Sequence, residues 1–196
     1  MRERAFETER GMDRRGVAWI PGLVGLCVVV AVLPGCAALQ QADYADLQTV
    51  DWVNLDRFLG TWYEIARYPN DFEQGCQGVT ARYSLKDSGK IRVVNTCRDS
   101  DGRTTDRIEG VARVDDRRTN AKLKVSFFWP FSGPYWIIDL DADYQYAVIG
   151  EPSRRFFWIL SRTPTMEDAT LDGILAKMPG WEYDADRLYY VPQNVE

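Results

Sequence analysis

Histidine is absent from the sequence, and its absence excludes several kinds of chemistry at once. Histidine is the usual general base beside a nucleophilic serine or cysteine, and it is the commonest metal ligand in proteins. A His-based triad, a Cys–His dyad and a histidine metal site are therefore excluded, and we expect no metal or cofactor. An excess of positive charge is also missing: the 196 residues carry a formal net charge of −5, which argues against a nucleic-acid partner.

Long apolar runs are equally scarce, and the one that stands out covers residues 17–33, after Arg14 and Arg15. Basic residues followed by an apolar run of this length are typical of a secretory signal. The run leads into Leu33-Pro34-Gly35-Cys36, which resembles the lipobox of bacterial lipoproteins. We therefore expect residues 1–35 to form a lipoprotein signal peptide.

The lipobox resemblance implies that Cys36 receives the lipid and becomes the mature N-terminus. Ala37 follows it, rather than the aspartate that marks inner-membrane retention in enteric bacteria. We expect a lipid-anchored protein on the periplasmic face of the outer membrane, with the membrane as a partner through Cys36. The alternative is a transmembrane anchor with an incidental cysteine, although the apolar run is at the short limit for a span and no stop-transfer charges follow it.

Cysteine is scarce too, with four residues in the chain. Cys27 lies in the expected signal peptide and Cys36 is assigned to the lipid. Cys76 and Cys97 remain, an even pair in an exported domain, where disulfides persist. We expect them to form a disulfide, and two free thiols are the alternative.

After the signal peptide, the chain divides into a tether and a domain. Residues 36–54 are polar and irregular, so we expect a lipidated tether there, and residues 55–196 are expected to form one domain. Short runs with period-2 alternation, separated by turn residues, predict eight strands in this domain. The expected strands cover residues 61–68, 78–85, 91–97, 105–114, 121–128, 135–140, 144–150 and 156–162.

One helix is expected after the strands, beginning near Thr165 and Asp168 and ending before Pro179, and residues 186–191 could add a short closing strand. Eight short antiparallel strands with tight turns predict an all-β fold, an eight-stranded up-and-down barrel with the C-terminal helix packed outside. A sandwich is the competing all-β fold. The interior of such a barrel holds about one small apolar ligand.

Three motifs resemble the signature regions of the lipocalin family. They are Gly60-Thr61-Trp62, Asp141-Ala142-Asp143-Tyr144 and Ser161-Arg162, and the resemblance extends from about Leu55 onwards. Within the family, the chain is similar to the bacterial outer-membrane lipoprotein type. In an up-and-down meander, all three motifs meet at one end of the barrel.

The resemblance implies a lipocalin calyx whose floor is closed by the signature residues. The arginine of the family lies over the tryptophan ring, and this role is carried over to Arg162 and Trp62. The floor set is Gly60, Trp62, Asp143, Tyr144 and Arg162. The resemblance also implies that the chain is not an enzyme, and that it binds fatty acids or lysophospholipids for lipid transport or storage in envelope maintenance under stress. A homodimer is left open, because dimers occur in the family.

Ligand contacts are expected in the apolar interior and at the opposite, open end. If Trp62 faces inward, alternation places every second residue of its strand inside, and the apolar faces of the other strands complete the lining. The expected ligand-binding residues are Glu64, Ala66, Tyr68, Tyr83, Val93, Ala112, Val125, Phe127, Trp129, Phe131, Tyr135 and Trp136. Cys76, Cys97 and the loop of residues 129–135 lie at the open end.

Two features of this lining have a second interpretation. The aromatic loop contacts a lipid tail or the membrane interface, or it packs on itself and caps the barrel. Glu64 is the one carboxylate expected inside, and it is either a hydrogen-bonded structural residue or an acid/base group. The second possibility defines the alternative function, a lipocalin-fold enzyme that acts on a lipophilic substrate. A scaffolding lipoprotein and a secreted carrier without an anchor are further alternatives.

Overall fold

The computed structural model describes residues 46–193, so the expected signal peptide and Cys36 lie outside the described residues. The strands are β1 (Gly60–Arg67), β2 (Val79–Leu85), β3 (Ile91–Arg98), β4 (Thr104–Val114), β5 (Lys122–Ser126), β6 (Gly133–Leu140), β7 (Tyr146–Gly150), β8 (Phe157–Ser161) and β9 (Tyr189–Tyr190). The α-helices are α1 (Leu55–Phe58) and α2 (Asp168–Lys177), and short 3₁₀ helices cover Asp71–Glu73, Met178–Trp181 and Ala185–Arg187.

Strands β1 to β8 form a closed, antiparallel up-and-down barrel. Each strand pairs with the next, and β1 closes the barrel by pairing with β2 on one side and β8 on the other. The barrel expected from the sequence is confirmed, and the sandwich is excluded. Strand β9 pairs with the last residues of β1, outside the eight-stranded meander.

Strands β5 and β7 are shorter than expected because turns take some of their residues. Strand β7 starts at Tyr146 rather than at residue 144, because the Asp141 side chain accepts hydrogen bonds from the backbone N–H groups of Asp143 and Gln145. Strand β5 ends at Ser126, because the Ser126 hydroxyl donates to the carbonyl of Phe131 and holds a turn. Helix α2 starts at Asp168 without a side-chain cap, so the expected capping box is wrong.

Strand β1 contains a β-bulge at Ile65. On the neighbouring strand β8, Glu64 pairs with Leu160 and Ala66 pairs with Ile159, so one extra residue is inserted in β1. An inserted residue reverses the alternation of all side chains beyond it. The bulge therefore turns Ala66 outward and Arg67 inward.

Two apolar clusters lie on the two sides of the barrel wall. The inner cluster lines the inside of the barrel and includes Trp62, Tyr83, Val93, Ala112, Leu123, Ile137, Ile149 and Leu160. The outer cluster lies between the wall and α2 and includes Ile65, Ala66, Tyr68, Val148, Phe157, Ile159, Ile174 and Met178. Helix α2 thus covers an apolar outer face of the wall, which stabilises both elements by removing apolar area from water.

The outer cluster corrects three expected calyx residues. Ala66 and Tyr68 belong to it because the bulge reverses the alternation of β1. Trp136 also packs against the outer cluster, with Lys122 Nζ 4.2 Å from its ring centroid. Both faces of β6 carry large apolar residues, so the sequence did not distinguish its inner face from its outer face.

Residues 46–54, expected to be part of the tether, pack on the barrel instead. Leu47 and Val53 are buried, and the N–H of Val53 donates to the carbonyl of Thr119 over 2.8 Å. The N–H of Val50 donates to the carbonyl of Ile137, on the part of β6 that β5 does not reach. Among residues 46–193, no helix is both long and apolar enough to span a bilayer.

Candidate functional site

The floor of the barrel is built around the stacking of Arg162 on Trp62. The Arg162 Cζ lies 3.7 Å from the centroid of the fully buried Trp62 ring, the arrangement that the resemblance implies. The guanidinium donates to the backbone carbonyls of Arg57, Thr61 and Tyr144, over 2.6, 3.0 and 3.2 Å. Because three separate segments converge on one side chain, Arg162 ties α1, β1 and the β6–β7 turn together.

Gly60, Tyr144 and Asp143 are the other expected floor residues. Gly60 has φ +99°, and a Cβ there would lie 3.3 Å from the Arg162 Nη1, so glycine allows both the conformation and the stacking. The Tyr144 hydroxyl accepts from the N–H of Asn54 over 2.8 Å. Asp143 is exposed and lies 3.8 Å from Arg57, so it contributes little.

Above the floor, the calyx is lined mainly by apolar residues. Val93, Ala112, Val125 and Phe127 belong to the inner cluster or pack against it. The hydroxyls of Tyr83 and Tyr135 lie 2.7 Å apart, and burial raises the pKa of both phenols. The calyx thus offers an apolar wall with a pair of neutral hydroxyl groups.

A group of buried charges occupies the mouth half of the calyx. Arg67 lies between two carboxylates, and all three side chains are almost completely buried. Its Nη1 donates to the Glu64 Oε1 over 2.7 Å, and its Nη2 donates to the backbone carbonyl of Glu73 over 2.8 Å. The Glu73 carboxylate also accepts from Asn70 over 2.5 Å and from the Trp158 indole over 3.3 Å.

This arrangement alters the ionisation of Glu64. Burial raises the pKa of the Glu64 carboxyl well above its ordinary value, and the neighbouring Glu73 carboxylate raises it further. Arg67 opposes both effects through its charge and its hydrogen bond. Glu64 is therefore a hydrogen-bonded member of a buried charge group.

Sequence reasoning missed Arg67, Glu73 and Trp158 as parts of the site. Alternation from Trp62 places Arg67 on the outer face, because the sequence does not show the bulge, and Glu73 belongs to a loop without periodicity. The expectation that Glu64 is the one carboxylate inside is wrong, since Glu73 reaches the same group from the β1–β2 loop. The sequence did offer one signal for Glu73. The β1–β2 loop is long, and it carries this acidic residue shortly before Cys76 of the disulfide.

The mouth is reinforced beside β1 by a disulfide and the C-terminal segment. Cys76 and Cys97 are bonded, with Cα atoms 5.2 Å apart, and this confirms the expected disulfide. Val191 packs with the disulfide and with Val79. The Gln193 amide donates to the carbonyls of Glu64 and Val79 over 2.6 and 3.0 Å, so it bridges β1 and β2 where their own pairing has ended.

The aromatic loop at the mouth does not pack on the barrel. Trp129 is 92% exposed and Phe131 is 77% exposed, so both side chains project into solvent. The alternative of a self-packed cap is therefore wrong. These two rings lie at the mouth end and do not line the calyx, because the turn between Phe128 and Phe131 directs them away from it.

Two surface cavities are also present. One, of about 350 Å³, lies at the mouth between Phe72 and Phe156, with Arg155 and Arg187 in its wall. The other, of about 670 Å³, lies on the outside at the start of α2 and is lined mainly by polar and acidic residues. Within residues 46–193, no group of three or more acidic or cysteine side chains is arranged to hold a metal ion.

Comparison with known proteins agrees with this geometry. A family model described as a lipocalin-like domain matches residues 53–193. The outer membrane lipoprotein Blc of Escherichia coli (strain K12) is 44% identical over 137 residues, covering 70% of this chain and 77% of that protein. Its namesake in Vibrio cholerae is 37% identical over 170 residues, covering 86% and 96%.

Among solved structures, insecticyanin from the tobacco hornworm Manduca sexta matches with a TM-score of 0.61 at 22% identity. The match covers 76% of this chain and 85% of that one, and at this identity it shows the fold alone. The names of the bacterial relatives confirm the expected location, a lipid anchor at the outer membrane. Together with the closed barrel, these relatives support a ligand-binding role for the calyx. The chain belongs to the lipocalin family.

Proposed function

We propose that this lipocalin is a lipid carrier, anchored through Cys36 on the periplasmic face of the outer membrane. It binds a fatty acid or a lysophospholipid and transports or stores it for envelope maintenance under stress. The observation that carries the proposal is the distribution of polarity in the calyx. Apolar residues cover the inner wall, whereas the buried charges of Arg67 and Glu73 lie towards the mouth.

This distribution fits an amphiphile with one long apolar chain. Burying an acyl chain contributes about 0.8 kcal/mol per methylene group, so the chain provides most of the binding free energy. The polar head then lies near the mouth, where hydroxyl, indole and guanidinium donors are available.

No chemical step is part of the proposed function. The Glu64 Oε1 accepts a hydrogen bond from Arg67 over 2.7 Å, so Glu64 already has a partner within the protein. In a carrier, this hydrogen bond only stabilises the fold. In the alternative, an enzyme that acts on a lipophilic substrate, Glu64 would also transfer a proton.

The anchored protein is proposed to direct its mouth towards the membrane. Leu47 packs against Gly150, at the mouth end of β7, so the chain leads from the anchor to that end of the barrel. About ten residues separate Cys36 from the first described residue, and they span at most about 36 Å. The exposed Trp129 and Phe131 lie at the same end, where aromatic side chains suit the bilayer interface.

Binding is tested with purified, delipidated protein and a fluorescent fatty acid. Saturable binding is expected, with a stoichiometry near one ligand per chain. Lack of saturable binding by protein with a native circular dichroism spectrum would refute the carrier proposal.

Native mass spectrometry of protein purified from its own membranes tests the remaining parts. We expect a diacylglyceryl group on Cys36 and a retained single-chain lipid, and the same spectrum reports whether the protein is a homodimer. The Cys36→Ala variant should leave the membrane fraction. Retention of that variant in the envelope would instead favour a protein held without a lipid anchor.

A further inference from the structure

We propose that the Glu73 carboxylate occupies the site of a ligand carboxylate, and that a fatty acid binds by displacing Glu73 from Arg67. This inference rests on the proposed function and specifies the head group. The ligand it assigns is a single acyl chain that ends in a carboxylate, with that carboxylate placed at Arg67.

The contacts of Glu73 are those that a bound carboxylate would make. Its Oε2 accepts from Asn70 and from the Trp158 indole, and it lies 3.5 Å from the Arg67 Nε. Trp158 lies near the mouth end of β8 and packs against the inner cluster. Because its indole bonds the Glu73 carboxylate, that carboxylate lies where the calyx opens at its mouth. An acyl chain that continued from this point would extend into the apolar interior.

Arg67 retains capacity for a better partner. Its Nε is buried and has no hydrogen-bond partner among the described residues, since the Glu73 oxygen at 3.5 Å is too distant. A guanidinium bonds a carboxylate most favourably through two parallel N–H donors. A free ligand carboxylate can adopt that geometry, whereas Glu73 is constrained by its own loop.

The charge of the site explains why a carboxylate is selected. Arg67 carries a buried positive charge, and the Glu73 carboxylate is its partner on the mouth side. Exchange of one carboxylate for another leaves this buried charge unchanged, and the released Glu73 gains hydration. A neutral head group that displaced Glu73 would leave the guanidinium with fewer partners, which is costly inside a protein.

The segment that holds Glu73 has an exposed outer side, where Phe72 of the 3₁₀ helix Asp71–Glu73 is 63% exposed. Displacement of the Glu73 side chain breaks its bonds to Asn70 and to the Trp158 indole, together with its ion pair with Arg67. These same donors then become available to the ligand carboxylate, so the contacts that are lost are replaced.

The experiment compares laurate and 1-dodecanol, which share one chain and differ in the head group. Isothermal titration calorimetry of the full-length protein gives both dissociation constants for the wild type and for Glu73→Gln. The variant keeps the size of the side chain but removes the competing charge. The matched control is Glu109→Gln, which removes a carboxylate paired with Arg92 on the exposed outer surface.

Glu73→Gln is expected to tighten laurate binding about tenfold, the scale of one charge-assisted hydrogen bond. Its affinity for 1-dodecanol should change less than about threefold, and Glu109→Gln should change neither ligand. The double variant Glu73→Gln with Arg67→Gln removes both charges of the pair, and it should lose the discrimination between the two ligands.

An equal gain for both ligands would mean that Glu73 only blocks the entrance, and it would overturn the inference while leaving the carrier function intact. An unchanged laurate affinity in Glu73→Gln would overturn it as well. Lack of binding of either ligand by correctly folded wild type would overturn the proposed function, and this inference with it.

Discussion

Arg162 lies over the ring of Trp62 with 3.7 Å between its Cζ and the ring centroid, at the end of the barrel opposite to the mouth. Replacement of Arg162 by alanine removes this contact and leaves three backbone carbonyls without their donor. We expect the free energy of unfolding to fall by about 2–4 kcal/mol, measured by urea denaturation. Ligand affinity of the folded variant should stay unchanged.

The control for Arg162 is Arg118→Ala, which removes a side chain that is 90% exposed. Its effect should stay within about 0.5 kcal/mol, since surface substitutions of this kind cost little. Similar losses for the two variants would show that the stacking and the three carbonyl contacts contribute nothing of their own.

Glu64 should make the stability of the protein depend on pH. The pKa of Glu64 is raised in the folded state above its ordinary value of 4.5, so above this pH the folded state binds more protons than the unfolded state. The free energy of unfolding must then fall as the pH rises through the raised pKa. In Glu64→Gln this fall is absent, so the stability of the variant relative to the wild type increases as the pH rises above 4.5.

Urea denaturation across this pH range checks the prediction, and Glu109→Gln is again the control. The pKa of Glu109 is lowered by its bonds to Arg92, so this carboxyl makes the opposite contribution, with stability lost as the pH falls. Parallel curves for wild type and Glu64→Gln would contradict the assignment. The same Glu64→Gln protein also tests the enzyme alternative, in which the variant would lose turnover of a lipophilic substrate while it kept its ligand affinity.

The disulfide between Cys76 and Cys97 closes a loop with a sequence separation of 21 residues. A cross-link of this length stabilises a folded chain by about 3 kcal/mol, chiefly by restricting the unfolded state. The double variant Cys76→Ser with Cys97→Ser should lose this amount in urea denaturation. A loss below about 1 kcal/mol would show that the C-terminal segment holds the mouth without the bond.

The proposed orientation of the barrel can be tested with two tryptophans at opposite ends. Trp129 is 92% exposed at the mouth, while Trp52 is 57% exposed next to Val53, which bonds to the β4–β5 turn at the floor. The lipidated protein is reconstituted into vesicles that contain brominated lipids, which quench nearby tryptophan fluorescence. Trp129→Phe should remove most of the quenching and Trp52→Phe little of it. The reverse result would place the floor at the membrane.

Much of the fold follows from local patterns in the sequence. The turn residues between alternating runs were sufficient to predict eight strands in meander order, and Trp62 and Arg162 lie together because that order brings their strand ends to one side. Cys76 and Cys97 could be paired for the same reason. These predictions depend only on the order of the strands and on which end each turn occupies.

The polar part of the site could not be predicted in this way. Arg67 faces inward because of an inserted residue in β1, and no local pattern marks the bulge. Glu73 enters the calyx through tertiary contacts with Arg67 and Trp158. The tether was predicted too long, because the apolar residues of the segment 46–54 follow no regular period. The bonds that hold this segment on the barrel join Val50 to Ile137 and Val53 to Thr119, which are far apart in the sequence.

The bulge at Ile65 means that the chemistry of the calyx mouth depends on how β1 pairs with β8, as well as on which residues β1 contains. A strand with the same residues and no bulge, in which Ile65 had its own partner on β8, would direct Tyr68 into the calyx and Arg67 towards α2. An alignment without a gap at Ile65 would therefore equate ligand-facing positions of this chain with helix-facing positions of a relative that lacks the insertion. For this strand, equivalent residues have to be identified from backbone pairing with β8.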